Sequence, residues 1–202
     1  MKWIDAETRS QSSVSKTKTF LSKYWKYLQQ RDYVDRDLKP FTDIELPKTL
    51  KARQAREAYT DDEVALILDQ LQLKQDDALT AITTLAMYTG ARISELAGLR
   101  VDNVVTVDGI TCLKIDDAKT KAGNRAVPVH PKIHPLVQTL IIDSTDGYLV
   151  SGVKSKGGKD RRADVLGKRY GRLVRHDCQL PSTKVFHCFR NTVATKLESA
   201  GV

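Results

Sequence analysis

Thr89-Gly90-Ala91-Arg92-Ile93-Ser94-Glu95-Leu96-Ala97-Gly98-Leu99-Arg100 is the stretch on which the reading of this chain turns. An apolar helical segment runs into Thr89. Gly90 is suited to stop it, because glycine takes the left-handed cap conformation without a Cβ clash. A short second helix follows, with Ile93, Leu96 and Leu99 at inward helical spacing. Arg92 therefore sits at the first turn of a helix, just past a sharp corner. The positive end of the helix dipole does not favour a cation there, so an anionic partner is expected. Glu95 could be that partner as an ordinary salt bridge, or the arginine could serve an anionic ligand.

Two later stretches deepen the pattern. Phe186-His187-Cys188-Phe189-Arg190-Asn191-Thr192-Val193-Ala194-Thr195 carries a histidine and an arginine three residues apart at the start of a helix. Lys119-Thr120-Lys121-Ala122-Gly123-Asn124-Arg125-Ala126-Val127-Pro128 reads as a basic hairpin turn running into a strand. The first stretch matches T-G-x-R-x-S-E-L at every fixed position, the second matches H-x-x-R, and the third is similar to a lysine hairpin. In this order the three resemble the boxes of the tyrosine recombinases, the family of phage integrases and related site-specific recombinases, over roughly residues 60–202. Asn191 stands where many relatives have a second histidine.

Composition agrees with an anionic partner. Lys+Arg 33 against Asp+Glu 25 gives a formal charge of +8, and nucleic acid is the commonest partner of such a surface. Cys112, Cys178 and Cys188 form no C-x-x-C pair, which fits reduced thiols in the cytoplasm. The start has no apolar signal-peptide core and no run is long enough to span a bilayer. His176, Cys178, His187 and Cys188 fit no regular zinc spacing, so neither metal nor cofactor is expected.

Along the chain, a helix is predicted from Ser12 to Gln30, with Val14, Leu21, Trp25 and Leu28 on one side. Lys16, Lys18, Lys23 and Lys26 lie on its other faces, either solvated or turned to DNA. Residues 48–58 read as a basic linker. The resemblance makes 1–47 a partial helical core-binding domain and 59–202 a catalytic domain. Thr60-Asp61-Asp62-Glu63 is a capping box, followed by Val64, Ile67, Leu68 and Leu71 at helical spacing. A second helix is predicted over 77–88. Strands are predicted at 104–107, 111–115 and 125–129, with Asp108-Gly109 as a hairpin turn. A helix over 131–142, a strand at 148–150, a helix over 162–176 and a last helix from His187 complete the pattern. The last helix carries Phe189, Val193, Leu197 and Ala200 in line. The fold expected is α+β, mainly helical, with a small antiparallel sheet. Lys168, Arg172 and Arg175, spaced i, i+4, i+7, predict a phosphate-tracking stripe beside the basic loop of Lys154, Lys156 and Lys159.

The resemblance implies the chemistry. Arg92 and Arg190 would hold the non-bridging oxygens of a DNA phosphodiester, strengthening their forked hydrogen bonds as charge builds. Lys119 would protonate the leaving 5′-oxygen, with Lys121 as the competing candidate. His187 would orient the phosphate or assist proton transfer. The parent reaction would break and rejoin double-stranded DNA through a 3′-phosphotyrosyl intermediate, on a homotetramer assembled on DNA. The family's tyrosine follows the H-x-x-R box, whereas all seven tyrosines here precede His187. The chain is accordingly expected to be a fragment, inactive by itself. The rival reading is a DNA-binding relic or regulatory relative without catalysis.

Overall fold

The computed structural model describes residues 11–42, 44, 57–116, 124–154 and 161–201. The chain divides into two compact units, Met1–Ala55 and Arg56–Val202. The predicted linker lies almost wholly outside the described residues.

In the first unit, α1 (Gln11–Gln30) buries Val14 and half-buries Leu21, Trp25 and Leu28. The chain that follows folds back along it. Trp25 Nε1 donates to the Leu38 carbonyl at 2.8 Å, and its ring meets Phe41 edge-on at 5.9 Å. Lys18 departs from the expected solvated or DNA-facing role, since its ammonium donates to the Thr42 and Ile44 carbonyls at 3.3 and 2.7 Å. Lys16, Lys23 and Lys26 are exposed. A second face of α1 leaves Phe20, Tyr24 and Tyr27 open, with Tyr24 and Tyr27 stacked at 6.5 Å and Arg31 over the Tyr27 ring.

The second unit opens with α2 (Asp61–Lys74), whose Thr60/Glu63 capping box forms as its sequence predicts. The next helix, α3 (Asp77–Thr89), buries Leu79, Ala81, Ile82, Thr83, Leu85 and Ala86. A helix apolar on most of its circumference belongs inside a domain. It packs against α2, against α4 (Ile93–Gly98), and against two later helices, α6 (Arg162–Arg172) and α7 (Cys188–Ser199).

After α4 come β1 (Val104–Val107), β2 (Ile110–Ile115) and β3 (Arg125–Pro128), an antiparallel sheet in the order β1-β2-β3. Asp108 and Gly109 both have positive φ, the condition for a two-residue hairpin turn that follows the strand twist. The register pairs Val104 with Leu113 and Ile115 with Arg125, which turns Leu113 and Ile115 into the core. A 3-10 turn at Pro131–Ile133 leads into α5 (His134–Ile142), so the predicted helix begins as a tighter turn.

Three expectations are corrected. Residues 148–150 form no strand; only Tyr148 bridges, to Arg100. Arg162 takes the hydrogen bonds a neighbouring strand would have taken. Buried at the head of α6, it donates to the carbonyls of Ala97, Val150 and Val153 and pairs with Asp146, its guanidinium stacked on the Tyr148 ring. The helix predicted over 162–176 changes character at Leu173–Asp177, which is a π-turn closed by the Cys178 N–H on the Leu173 carbonyl. Finally, α7 buries Cys188, Phe189 and Thr192, whereas Leu197 is exposed. The expected apolar line therefore serves the core only in the first half of the helix.

Candidate active site

The corner forms as its residues dictate. Gly90 ends α3 at φ 61°, and its N–H bonds the Ala86 carbonyl at 2.9 Å. Thr89 Oγ1 donates to Leu85 and accepts from the Ala91 N–H. Arg92 is then the extended residue capping α4. Glu95, one turn on, accepts from the Arg92 backbone N–H at 2.8 Å and from Arg92 Nη1 at 2.6 Å. The carboxylate is buried at 7% exposure, while Arg92 keeps 46% of its side chain open. Glu95 therefore holds one edge of the guanidinium and leaves the rest facing outward. The anionic partner anticipated for Arg92 is present, and it does not close the site.

Glu95 has a second cation. Arg125, the first residue of β3, reaches its two oxygens at 2.7 and 3.3 Å. Burial alone would raise the Glu95 pKa. The hydrogen bonds from Arg125, the Arg92 backbone and the Arg92 side chain outweigh burial and hold it at about 2. Sequence reasoning noted Glu95 only as an ordinary salt bridge and gave Arg125 no role. The only available signal was a glutamate on a short helix flanked by cations, which does not say which distant arginine would join it.

The H-x-x-R box meets this corner. Arg190 Nη1 donates to the Gly90 carbonyl at 3.1 Å. That carbonyl lies two residues before Arg92, about 7 Å or less along the backbone. A Cβ on Gly90 would come within 3.2 Å of Val193 Cβ, so α7 rests directly on the glycine. Gly90→Ala combines this crowding with a positive φ and is expected to destabilise the unit by about 1–2 kcal/mol. A urea midpoint unchanged by the substitution would contradict that account.

His187 precedes α7 by one residue, and its carbonyl accepts from the Arg190 N–H at 3.1 Å. Both side chains are partly buried. The turn behind them is braced from the start of the unit. Thr192 Oγ1 accepts from the Tyr59 N–H at 2.8 Å. Tyr59 and Tyr170 share a hydroxyl hydrogen bond at 2.9 Å and pack on Phe189. Lys184, only 6% exposed, donates to the Ala58 carbonyl at 2.6 Å and to Glu63 at 2.8 Å. No periodicity distinguishes such a lysine from a surface one.

The remaining candidates separate. Lys119, Lys121, Lys156 and Lys159 lie outside the described residues. Lys154 is exposed. Lys168, Arg172 and Arg175 are all exposed. Arg175 lies within the π-turn Leu173–Asp177. Its guanidinium lies over Gly171, where a Cβ would sit 2.8 Å from Nη2. Arg172 lines a cleft with Lys74, Asp76, Arg169 and His176. Among the described residues, no cluster of three or more His, Cys, Asp or Glu is placed to hold a metal ion. None of their helices is long and apolar enough to cross a membrane.

A central apolar helix ending at a glycine corner, a small antiparallel sheet beside it and a second arginine helix against it define the recombinase catalytic-domain fold. The family model for the phage integrase family matches residues 57–202, and the chain belongs to that family of tyrosine recombinases. Solved structures agree in fold. The Tn1549 transposon integrase in complex with circular intermediate DNA superposes with a TM-score of 0.70 at 23% identity, over 100% of this chain and 72% of that one. The same integrase with transposon right end DNA gives 0.66 at 25% identity, over 96% and 68%. A lambda integrase tetramer bound to a Holliday junction gives 0.63 at 18%, covering 88% of this chain and 49% of that one. No curated protein matches the chain.

Proposed function

We propose that this chain is the catalytic core of a site-specific DNA recombinase that breaks and rejoins duplex DNA through a 3′-phosphotyrosyl intermediate, without metal or nucleotide. The observation that carries the reading is the Arg190 hydrogen bond to the Gly90 carbonyl, which joins two boxes a hundred residues apart. Arg92 and Arg190 then offer their outward donors to one scissile phosphate, and His187 stands one turn from Arg190. Lys119, with Lys121 as the competing lysine, protonates the leaving 5′-oxygen. The domain reading remains part of the proposal: 1–47 a partial core-binding domain, 48–58 a linker, 59–202 the catalytic domain. Assembly as a homo-oligomer on DNA in the cytoplasm completes it.

The attacking phenol is not one of the described tyrosines of this unit. Tyr59 and Tyr170 are buried on one another, and burial pushes both phenols far above their ordinary range. Tyr148 lies between Arg100 and Arg162, and Tyr88 packs on His130. In the family order the attacking tyrosine follows the H-x-x-R box, and all seven tyrosines of this sequence precede His187.

The 202-residue chain is expected to bind duplex DNA with steep salt dependence. Contacts to about six phosphates would lower affinity roughly 10³-fold between about 50 and 200 mM salt, through counterion release. Fluorescence anisotropy with a labelled duplex measures this. An affinity that changes less than about threefold over that range would overturn phosphate-dominated binding.

A further inference from the structure

We propose that Lys184 is a positioning residue for the H-x-x-R box: it pins the turn before His187 to residues 58–63, a strap that also holds the box from its far side. The inference rests on the recombinase reading above and gives a role to a buried cation outside the three boxes.

Two consecutive residues of the strap grip the box at both ends. The Ala58 carbonyl accepts from Lys184 Nζ at 2.6 Å, three residues before His187. The Tyr59 N–H donates to Thr192 Oγ1 at 2.8 Å, two residues after Arg190. His187 and Arg190 therefore ride on a stretch fastened before and behind to the same short segment. Between the fastenings the Tyr59 ring packs on Phe189 at 4.8 Å, and its hydroxyl meets that of Tyr170 at 2.9 Å. Lys184 is the charged fastening. Its ammonium also donates to Glu63 Oε2 at 2.8 Å and lies 5.6 Å from the centre of the Tyr59 ring. Glu63 is itself held by the Thr60 N–H in the cap of α2.

The backbone carries this attachment to the site. The Lys184 N–H closes its turn on the Pro181 carbonyl at 2.9 Å, and the Val185 N–H donates to Cys188 Sγ at 3.3 Å. The carbonyls of Val185, Phe186 and His187 then accept from the N–H groups of Cys188, Phe189 and Arg190 at 2.8, 3.2 and 3.1 Å. The first turn of α7 hangs from the residues that Lys184 fastens. At 6% exposure an ammonium is costly to bury, and an apolar side chain of the same length would fill the space more cheaply. What the cation adds is direction, because hydrogen bonds to a carbonyl and a carboxylate fix one arrangement where apolar contact tolerates sliding. A phosphate-binding Arg190 depends on that direction, since a misplacement of about 1 Å can cost on the order of 10²-fold in rate.

The test uses the recombinase with its tyrosine and Lys184→Met, which keeps the length of the side chain without its donors. Single-turnover adduct formation on nicked duplex DNA at saturation should slow about tenfold or more, with DNA affinity within about threefold of the parent. A double-mutant cycle separates positioning from simple loss of stability. In an Arg190→Ala background Lys184→Met should cost less than about threefold, because the group it positions is gone. Equal losses in both backgrounds, or a parent rate for Lys184→Met alone, overturn the proposal. Val137→Ala, a buried truncation on α5, should leave the rate unchanged; a loss there equal to that of Lys184→Met assigns the effect to stability and also overturns it. Should Lys184→Met fail to fold, Thr192→Val cuts the opposite fastening and carries the same cycle. Amide exchange in the 202-residue chain reads the fastening without catalysis. Lys184→Met should speed exchange at Cys188, Phe189 and Arg190 and leave Leu113 in β2 unchanged; unchanged exchange at those three overturns the fastening itself. If that exchange rises while the parent recombinase forms no adduct, the recombinase reading fails and the fastening stands.

Discussion

Arg190→Ala, made in the recombinase that supplies the attacking tyrosine, is expected to slow formation of the covalent DNA adduct by about 10²–10³-fold or more, the loss typical of a transition-state oxyanion donor. Arg190 sits partly buried on α7 with one terminal nitrogen on the Gly90 carbonyl. That bond fixes one nitrogen of the guanidinium; in the proposed mechanism the other donors meet an oxygen that gains charge only in the transition state. The loss should therefore appear in the single-turnover rate at saturating DNA, with a smaller change in DNA affinity. Arg190→Lys keeps the charge but cannot bridge from the carbonyl to a phosphate with a planar fork. It should recover little of the rate. A thermal melt separates this from loosening of α7, since a lost solvent-accessible hydrogen bond costs about 1 kcal/mol. A defect confined to affinity, with the rate at saturation intact, would remove Arg190 from the chemistry.

The parts of this architecture legible from the sequence are those decided by neighbours. Gly90 reads as a helix stop because the left-handed cap depends on one residue type. Thr60 and Glu63 read as a cap because their reciprocal hydrogen bonds span a single turn. Asp108-Gly109 reads as a hairpin because both residues tolerate positive φ. The less legible parts depend on partners far along the chain. Arg125 and Glu95 are thirty residues apart, and nothing in either local pattern names the other. Lys184 is buried because Glu63 and the Ala58 carbonyl converge on it from the start of the unit. Residues 148–150 have a strand-like composition, but Arg162 occupies the carbonyls of Val150 and Val153. The π-turn at Leu173–Asp177 lies beneath any periodicity argument, because the buried set Leu166, Tyr170, Leu173 and Val174 satisfies helical spacing either way. The apolar stripe is therefore buried as predicted while the backbone beneath it changes its hydrogen bonding.

Glu95→Gln should measurably destabilise the second unit. The carboxylate is buried, receives both nitrogens of Arg125 and binds the Arg92 backbone and side chain. Its pKa falls from an ordinary 4.5 to about 2 in the folded protein. Full conversion of that difference gives about 3 kcal/mol; solvent around half-exposed Arg92 trims it to about 2. Because the folded pKa is depressed, the contribution is complete above about pH 5 and is lost as pH falls toward about 2, where the folded carboxylate protonates. Glutamine keeps the shape and one acceptor but turns an amide N–H toward two guanidinia. The variant should therefore unfold at lower urea than the parent at pH 7, by about 2 kcal/mol, and the two curves should converge near pH 2. Glu63 and Asp146 also have lowered pKa values and steepen the acid limb of both proteins. The difference between the proteins cancels them and isolates Glu95. A gap that stays constant from pH 7 to pH 2 would mean that the side chain acts by packing rather than charge. If the gap closes as expected, the group that orients Arg92 also carries a measurable share of the fold's stability, and the corner cannot be retuned without cost to the domain.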